Sequence, residues 1–462
     1  MVSPRLDQYV GQFTNNPISI DPASPLRDFL TLHPGLRFLR LQWQDYSGLL
    51  RARLIVPQHL LALTATQKLV HIPPIAFHCI VDNNLLPDLD PTGNHFLVPD
   101  WTSLRFLPSS PHPTATVMCG VLAATPPRPL DLGLCPRRAL TTIVRHAAQS
   151  FSLHFRVGFE VEFEVFRRET PLSTPPHSKS SLTPASTSLG RFAVDGLRAD
   201  IYPIIEEAVH HLLDAGVGIQ TMQTEGRRGQ YELSLAPRAP LEAVDELVFV
   251  HDNLKQELAR HGLIATMAPR PVASRRQATG QHTHISISRT EVASEFLAGI
   301  LARLPGLCAV CMPFEVSYER VQPYLGGEVV AWGMEDRTVP VRGIEEGHWE
   351  LRCVDATANM YLALASVLGA GLLGVENEET LRWADSTRER PRENGVAGRQ
   401  LNGIPEKSNG YHVDLLEKEV VQLGQLMDSS ALEHFLRVKR FERDSLDRKD
   451  PEDVRTMLSE LF

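Results

Sequence analysis

The stretch GFEVEFEVF, residues Gly158–Phe166, alternates Glu160, Glu162 and Glu164 with Phe159, Val161, Phe163 and Val165. A period of two in branched and aromatic residues is the signature of a β-strand. Side chains at i, i+2 and i+4 of a strand share one face, so three carboxylates point the same way. One explanation is a solvated outer face, since antiparallel sheets often turn a polar side to water. Solvent-facing strands usually mix charge signs, however, because like charges side by side are mildly destabilising. An all-glutamate face suggests that a cation sits on it, with further ligands supplied from elsewhere in the chain.

The 462 residues are 43% hydrophobic and 22% charged, which fits a soluble globular protein with a large core. Length alone suggests two or three domains. Net charge is -9 and no long Lys/Arg run occurs, so neither nucleic acid nor an anionic membrane surface is expected as a partner. The first twenty residues hold no apolar signal-like stretch, and a cytoplasmic location is expected. The most apolar run, Met360 to Val375, falls short of the roughly 20 residues of a membrane span and reads as a buried core helix. Six scattered cysteines suggest no disulfide framework. Cys308 and Cys311 form a C-x-x-C without the second pair a zinc site needs, so buried helix cysteines are the expectation.

Phe38 to Trp43 alternates, a turn follows at Asp45 to Gly48, and Leu50 to Val56 alternates again: a hairpin. Strand-like pieces continue to about residue 125. Residues 35–125 therefore read as a small β-rich N-terminal domain, and residues 131–462 as a larger domain that carries the glutamate strand. Residues 1–34 form an extension without a clear assignment. Glu169 to Gly190 is rich in Ser, Thr and Pro and reads as a mobile insertion, residues 169–190, within the larger domain. GAGLLG, Gly369 to Gly374, matches a dinucleotide-binding pattern, but the residues before it look helical rather than strand-like. Close helix packing is the better reading of those glycines.

Further candidate ligands come in pairs. Glu225 and Glu232 flank a Gly/Arg turn, His282 and His284 share a strand face, and Glu350 and Arg352 share another. Taken in order, GFEVEFEVF, EGRRGQYELSL, ATMAPRP, GQHTHISIS, YERVQP, AWGMEDRTVPVR and ELRCVDATANMYLALA resemble one family: type I glutamine synthetases and their γ-glutamyl-amine ligase relatives. The likeness runs from about Leu36 to the C-terminus.

The resemblance implies an α+β fold, with a small N-terminal β-grasp domain and a large catalytic domain whose antiparallel sheet lines a metal-binding funnel. It implies that Glu162, Glu225 and Glu232 hold one divalent ion and that Glu160, His282 and Glu350 hold another. Oxygen-rich ligands with one imidazole suit Mg²⁺ or Mn²⁺. Arg337 and Arg342 would neutralise the transferring phosphoryl group of ATP. Arg320 and Arg352 would clamp the substrate carboxylate, and His284 and Ser286 would contact the nucleotide. The implied reaction phosphorylates glutamate or a similar acid, after which an amine displaces phosphate. A ring-type homo-oligomer is implied as well.

The chain departs from the family at several points. HIPPIAFHCIVDNN lacks the Asp-Gly-Ser-Ser of ammonia-using members, and Gln277-Ala278 replaces an Asn-Gly. The flap after YERVQP is altered, with Glu328 out of register, and Gln223-Thr224 replaces a His-His. Glu164 stands where the family usually has an apolar residue and is expected beyond the funnel. The expectation is thus an amine larger than ammonia or an altered acid. The competing reading is a non-catalytic structural or regulatory assembly of the same fold.

Overall fold

The expected hairpin is Phe38–Gln44 (β1) against Leu50–Ile55 (β2), paired antiparallel. Its turn needs Gly48, at φ +84°, because a Cβ there would lie 2.3 Å from the carbonyl oxygen of Thr357. This computed structural model describes residues 4–9, 12–13, 21, 23–107, 114–123, 130–169, 181–388 and 409–462. Val70–Ile72 (β3), His95–Pro99 (β4), Arg105–Leu107 (β5) and Thr114–Leu122 (β6) complete a first sheet in the order β2-β1-β6-β4-β3, with β5 also on β6. β6 runs parallel to β1 and is buried along its whole length.

Phe155–Glu169 (β7) is the spine of a second sheet. Ser181–Pro184 (β8), Ile219–Thr224 (β9), Gln230–Leu235 (β10), Leu263–Thr266 (β11), Thr283–Ile287 (β12), Trp332–Met334 (β13), Val341–Glu345 (β14) and His348–Leu351 (β15) are its other strands. The main path is β13-β14-β15-β12-β7-β10-β9, and β8 and β11 also pair with β7. The apolar face of β7, Phe159, Val161, Phe163 and Val165, is buried in the main core. Burial of the apolar face was legible from the alternation. The solvated-face reading of the glutamates fails, because Glu162 and Glu164 are buried as well.

One other expectation is refined, and the unassigned N-terminal extension gains a description. Residues 169–190 are not simply a loop: β7 runs to Glu169, and β8 pairs with its end. Only residues 170–180 of that tract lie outside the described residues. The N-terminal extension is partly structured, with a helix at Ser24–Leu32 and with Leu6 and Phe13 buried in a small cluster.

The core helices follow their apolar spacing. Pro136–Phe151 and Pro240–Arg260 each begin with proline in the first turn, where its missing N–H costs no hydrogen bond. Met360–Glu376 is the expected buried helix, and it packs on Ala293–Cys311. Thr290–Cys311 is long and apolar enough to cross a membrane, but 78% of its most apolar window is buried inside the structure, so here it is a core helix. Cys308 and Cys311 are buried in it and unbridged.

GAGLLG lies late in the 360–376 helix, and its last glycine makes a close helix crossing. A Cβ on Gly374 would lie 2.2 Å from the carbonyl oxygen of Glu295 and 2.7 Å from Cα of Gly299. Gly374→Ala is therefore expected to destabilise the protein by about 1–3 kcal/mol through forced separation of the helices. A urea titration checks this, and an unchanged midpoint would contradict the crossing.

Candidate active site

The register of β7 builds the site. Glu232 of β10 stands opposite Glu162 on β7, and Ser234 opposite Glu160. On the other edge, the Glu160 N–H donates to the His282 carbonyl, while β12 pairs His284 with Glu350 of β15. Arg342 of β14 pairs with Glu350 in turn. Residues far apart in sequence thus meet across neighbouring strands, and their side chains converge in a cavity of about 380 Å³. Ten of the twelve expected site residues line it: Glu160, Glu162, Glu225, Glu232, His282 and Glu350, together with Arg320, Arg337, Arg342 and Arg352.

Two carboxylate-rich sets are close enough to hold ions. Donor atoms of Glu162, Glu225 and Glu232 lie within 4.8 Å of one another, as do those of Glu160, His284 and Glu350. The second set differs from the expectation in its histidine. His282 Nδ1 is nonetheless 2.8 Å from Glu160 and 3.3 Å from Glu350, while His284 Nε2 is 3.3 Å from Glu160. Both imidazoles therefore reach Glu160, since residues two apart in an extended segment, here His282 just before β12 and His284 within it, share a face. Oxygen donors with an imidazole at this spacing suit a divalent metal ion. Ser286, expected at the nucleotide, sits farther along β12, and neither it nor His284 lines the cavity.

Electrostatics divide the carboxylates. Glu232 is pushed up to about 9 by burial and then by the charges of Glu160, Glu162, Glu225 and Glu350. Glu225 is raised by burial and by Glu162. Glu160 is held below its ordinary value, because hydrogen bonds and charge from His282 and His284 outweigh the cost of burial. Glu350 is lowered too: burial opposes its charge, but His282, Arg352 and Arg342 prevail. Arg342 donates to Glu350 at 2.8 Å and also pairs with Glu335, while Arg352 pairs with the other oxygen of Glu350.

Arg320 is a different kind of cation. It is 1% exposed and donates only to the carbonyls of Val354 and Arg352. Among the described residues no carboxylate forms an ion pair with it, and burial lowers its pKa. The charges of Asp355 and Glu162 offset that burial from a distance, and its guanidinium faces a cavity that an anion could enter.

The sequence reading missed several residues. Gln223, noted only as a replacement, donates to both Glu225 (3.3 Å) and Glu232 (3.0 Å) and so ties their carboxylates together. Tyr324 lines the cavity at φ +69°, and its carbonyl accepts from Arg352 at 3.3 Å. Arg191 lies 3.3 Å from Glu225 and no local pattern marks it. Glu164, as expected, does not line the funnel. It is 2% exposed, accepts from Arg275 at 2.8 Å and is pushed up to about 7, mostly by burial. Glu328 of the flap is exposed and outside the cavity.

Two acidic sets faced by arginines at the open end of an antiparallel sheet define a centre suited to phosphate chemistry on carboxylates. The chain belongs to the glutamine synthetase family of C–N ligases: the model of the glutamine synthetase catalytic domain matches residues 133–457. It is 29% identical over 448 residues to protein fluG of Emericella nidulans, covering 96% of this chain but 51% of that protein, so the chain spans about half the length of that relative. It is 28% identical over 400 residues to glutamate–isopropylamine ligase of a Pseudomonas species, covering 76% of this chain and 81% of that protein. It is 29% identical over 392 residues to the gamma-glutamylpolyamine synthetase of Streptomyces coelicolor, covering 79% and 80%. A solved structure of GmaS in complex with ADP superposes with a TM-score of 0.74 at 25% identity, covering 95% of this chain and 99% of the other. The α+β glutamine synthetase fold is thereby shared.

Proposed function

We propose that the chain is an ATP-dependent carboxylate–amine ligase that makes a γ-glutamyl-type amide through an acyl phosphate. The observation that carries this reading is the convergence of two acidic sets and four arginines in one cavity, where buried Arg320 forms no direct ion pair among the described residues. Divalent ions held by these sets would neutralise the phosphates of ATP. Arg320 and Arg352 would hold the substrate's carboxylate, for which a guanidinium fork is suited. Arg337, exposed at the cavity mouth, and Arg342 would meet the transferring phosphoryl group. His284 would serve the ion at Glu160 as well as, or in place of, the nucleotide. The amine is organic rather than ammonia, in keeping with the missing Asp-Gly-Ser-Ser. A ring-type homo-oligomer accompanies this reading.

The test is ADP release by the purified protein with Mg²⁺- or Mn²⁺-ATP, glutamate and amines ranging from ammonia through isopropylamine to polyamines. Hydroxylamine, which traps acyl phosphates as hydroxamates, reports the first half-reaction alone. Stimulation by an organic amine above ammonia is the expected result. Metal binding with neither hydroxamate nor ADP, from folded protein, would instead support the non-catalytic assembly.

A further inference from the structure

Beside the funnel lies a second cavity of about 840 Å³, and its wall is dominated by arginine. Arg191, Arg227, Arg228, Arg275 and Arg276 line it, and among the described residues no aspartate or glutamate does. It shares Arg191, Ala278 and Leu325 with the funnel, so the two spaces adjoin. The volume lies within the range of small-molecule sites.

The arginines are unequal. Arg275 is half-buried and held by Glu164 beneath it, and Arg191 is near Glu225. Arg227, Arg228 and Arg276 are exposed, and none has a side-chain ion pair or hydrogen bond among the described residues. Guanidinium groups lining one space repel one another unless an anion joins them.

The loops that present them are fixed. The Arg227 N–H donates to Gln277 Oε1 at 2.9 Å, and the Arg227 carbonyl accepts from Gln277 and Arg275, each at 3.0 Å. The Arg228 N–H donates to the Ser188 carbonyl at 2.7 Å. Arg228 itself takes φ +62° before Gly229 at +98°, a left-handed pair that a long side chain rarely adopts and that the surrounding bonds hold in place. Three separate segments are thus tied into one basic wall. Among the described residues the three outward arginines form no side-chain bond that would give them a structural role.

We propose that this basic annex is a second anion subsite of the acid-substrate pocket, so that the acid carries a further anionic group, carboxylate or phosphate, beyond both the carboxylate that reacts and the one held by Arg320 and Arg352. The inference rests on the ligase reading above and specifies its substrate class. A molecule whose reacting carboxylate sits near the ions reaches the annex through the shared wall at Ala278. The same wall repels a polycation, so a polyamine does not occupy it. Guanidinium forks match carboxylate and phosphate equally, which leaves the two sources to experiment.

The test uses three dipeptides that differ in one side chain: alanylglutamate, aspartylglutamate and phosphoserylglutamate. Binding to the full chain is measured by calorimetry with Mn²⁺ and a non-hydrolysable ATP analogue. At least one anionic dipeptide is expected to bind roughly tenfold or more tighter than alanylglutamate, the yield of one charge-assisted contact. Which one wins identifies carboxylate or phosphate. In Arg227→Glu/Arg276→Glu the gap should close. Both side chains are exposed, and circular dichroism verifies folding; Arg228→Glu provides an independent second variant. Equal affinities for all three peptides, or a gap that survives both variants, would overturn the subsite. A changed sedimentation coefficient with the gap intact would also overturn it and make the wall a contact between copies. ADP release with glutamate and amine is run in parallel. Turnover without a gap removes the annex alone, and a gap without turnover removes the ligase reading alone.

Discussion

Glu232→Gln is expected to lower metal-dependent ADP release by roughly a hundredfold to a thousandfold while leaving the metal-free protein more stable at alkaline pH. Both effects have one cause. Glu232 is 7% exposed and shares a small space with Glu160, Glu162, Glu225 and Glu350. Without a cation it keeps its proton up to about pH 9. Its unfolded counterpart loses the proton near 4.5. The folded state therefore binds more protons than the unfolded state between these values, and stability falls as pH rises through that window. The slope is on the order of 1 kcal/mol per pH unit at most. A divalent ion replaces the proton and flattens the dependence. Glutamine imitates the protonated acid, so the variant lacks the alkaline loss, but it supplies no charge to the ion. Thermal unfolding from pH 5 to 9, with EDTA and with Mn²⁺, reads the stability effect. A wild-type profile equally flat in both conditions would remove the argument.

The second large effect lies outside the site. Arg137→Leu is expected to destabilise the fold by about 3–5 kcal/mol, because it leaves two buried carboxylates without their cation. Arg137 is 2% exposed and donates to Asp100 at 2.6 Å and to Asp245 at 3.1 and 2.5 Å. Asp245 also accepts from the hydroxyl of Tyr361 at 2.6 Å, and the ring of Phe13 lies 4.7 Å from the guanidinium carbon. Asp100 follows β4 of the first sheet. Arg137, Asp245 and Tyr361 come from three helices of the larger core. The cluster therefore ties the first sheet to the helices that back the second. Urea titration should show a lower midpoint at unchanged slope. The triple change Asp100→Asn/Arg137→Met/Asp245→Asn should recover most of the loss, since burying a complete neutral set costs far less than burying half of a charged one. Full wild-type stability of Arg137→Leu would show that the carboxylates find water or other partners.

Much of the site was legible because its signals are local. β7 and β12 each place their ligands two residues apart, and a period of two fixes which side chains share a face. The chain order of the short motifs then carried the family. Glu164 shows the limit of this logic. Its spacing put it on the glutamate face correctly, yet nothing local told that Arg275, 111 residues on, would cover it. Departure from the family pattern suggested a position beyond the funnel, and there the carboxylate is buried and holds Arg275 of the arginine annex. His284, which the resemblance linked to a nucleotide, pairs in register with Gly158 and Glu350, and its Nε2 lies 3.3 Å from Glu160, a contact no local spacing foretold.

The sequence by itself determined the alternating strands, the apolar helix at Met360–Glu376, the identity of the carboxylate and arginine groups and their family. Each of these depends on spacing or composition within a few residues. Only the tertiary structure decided that the glutamate face turns inward, that Gln223 ties Glu225 to Glu232, that Arg320 is buried at the cavity wall, and that five arginines from three segments share one wall. These are contacts between distant segments. The chain's periodicity says which face a side chain occupies, but burial, pairing and charge balance depend on what packs against that face.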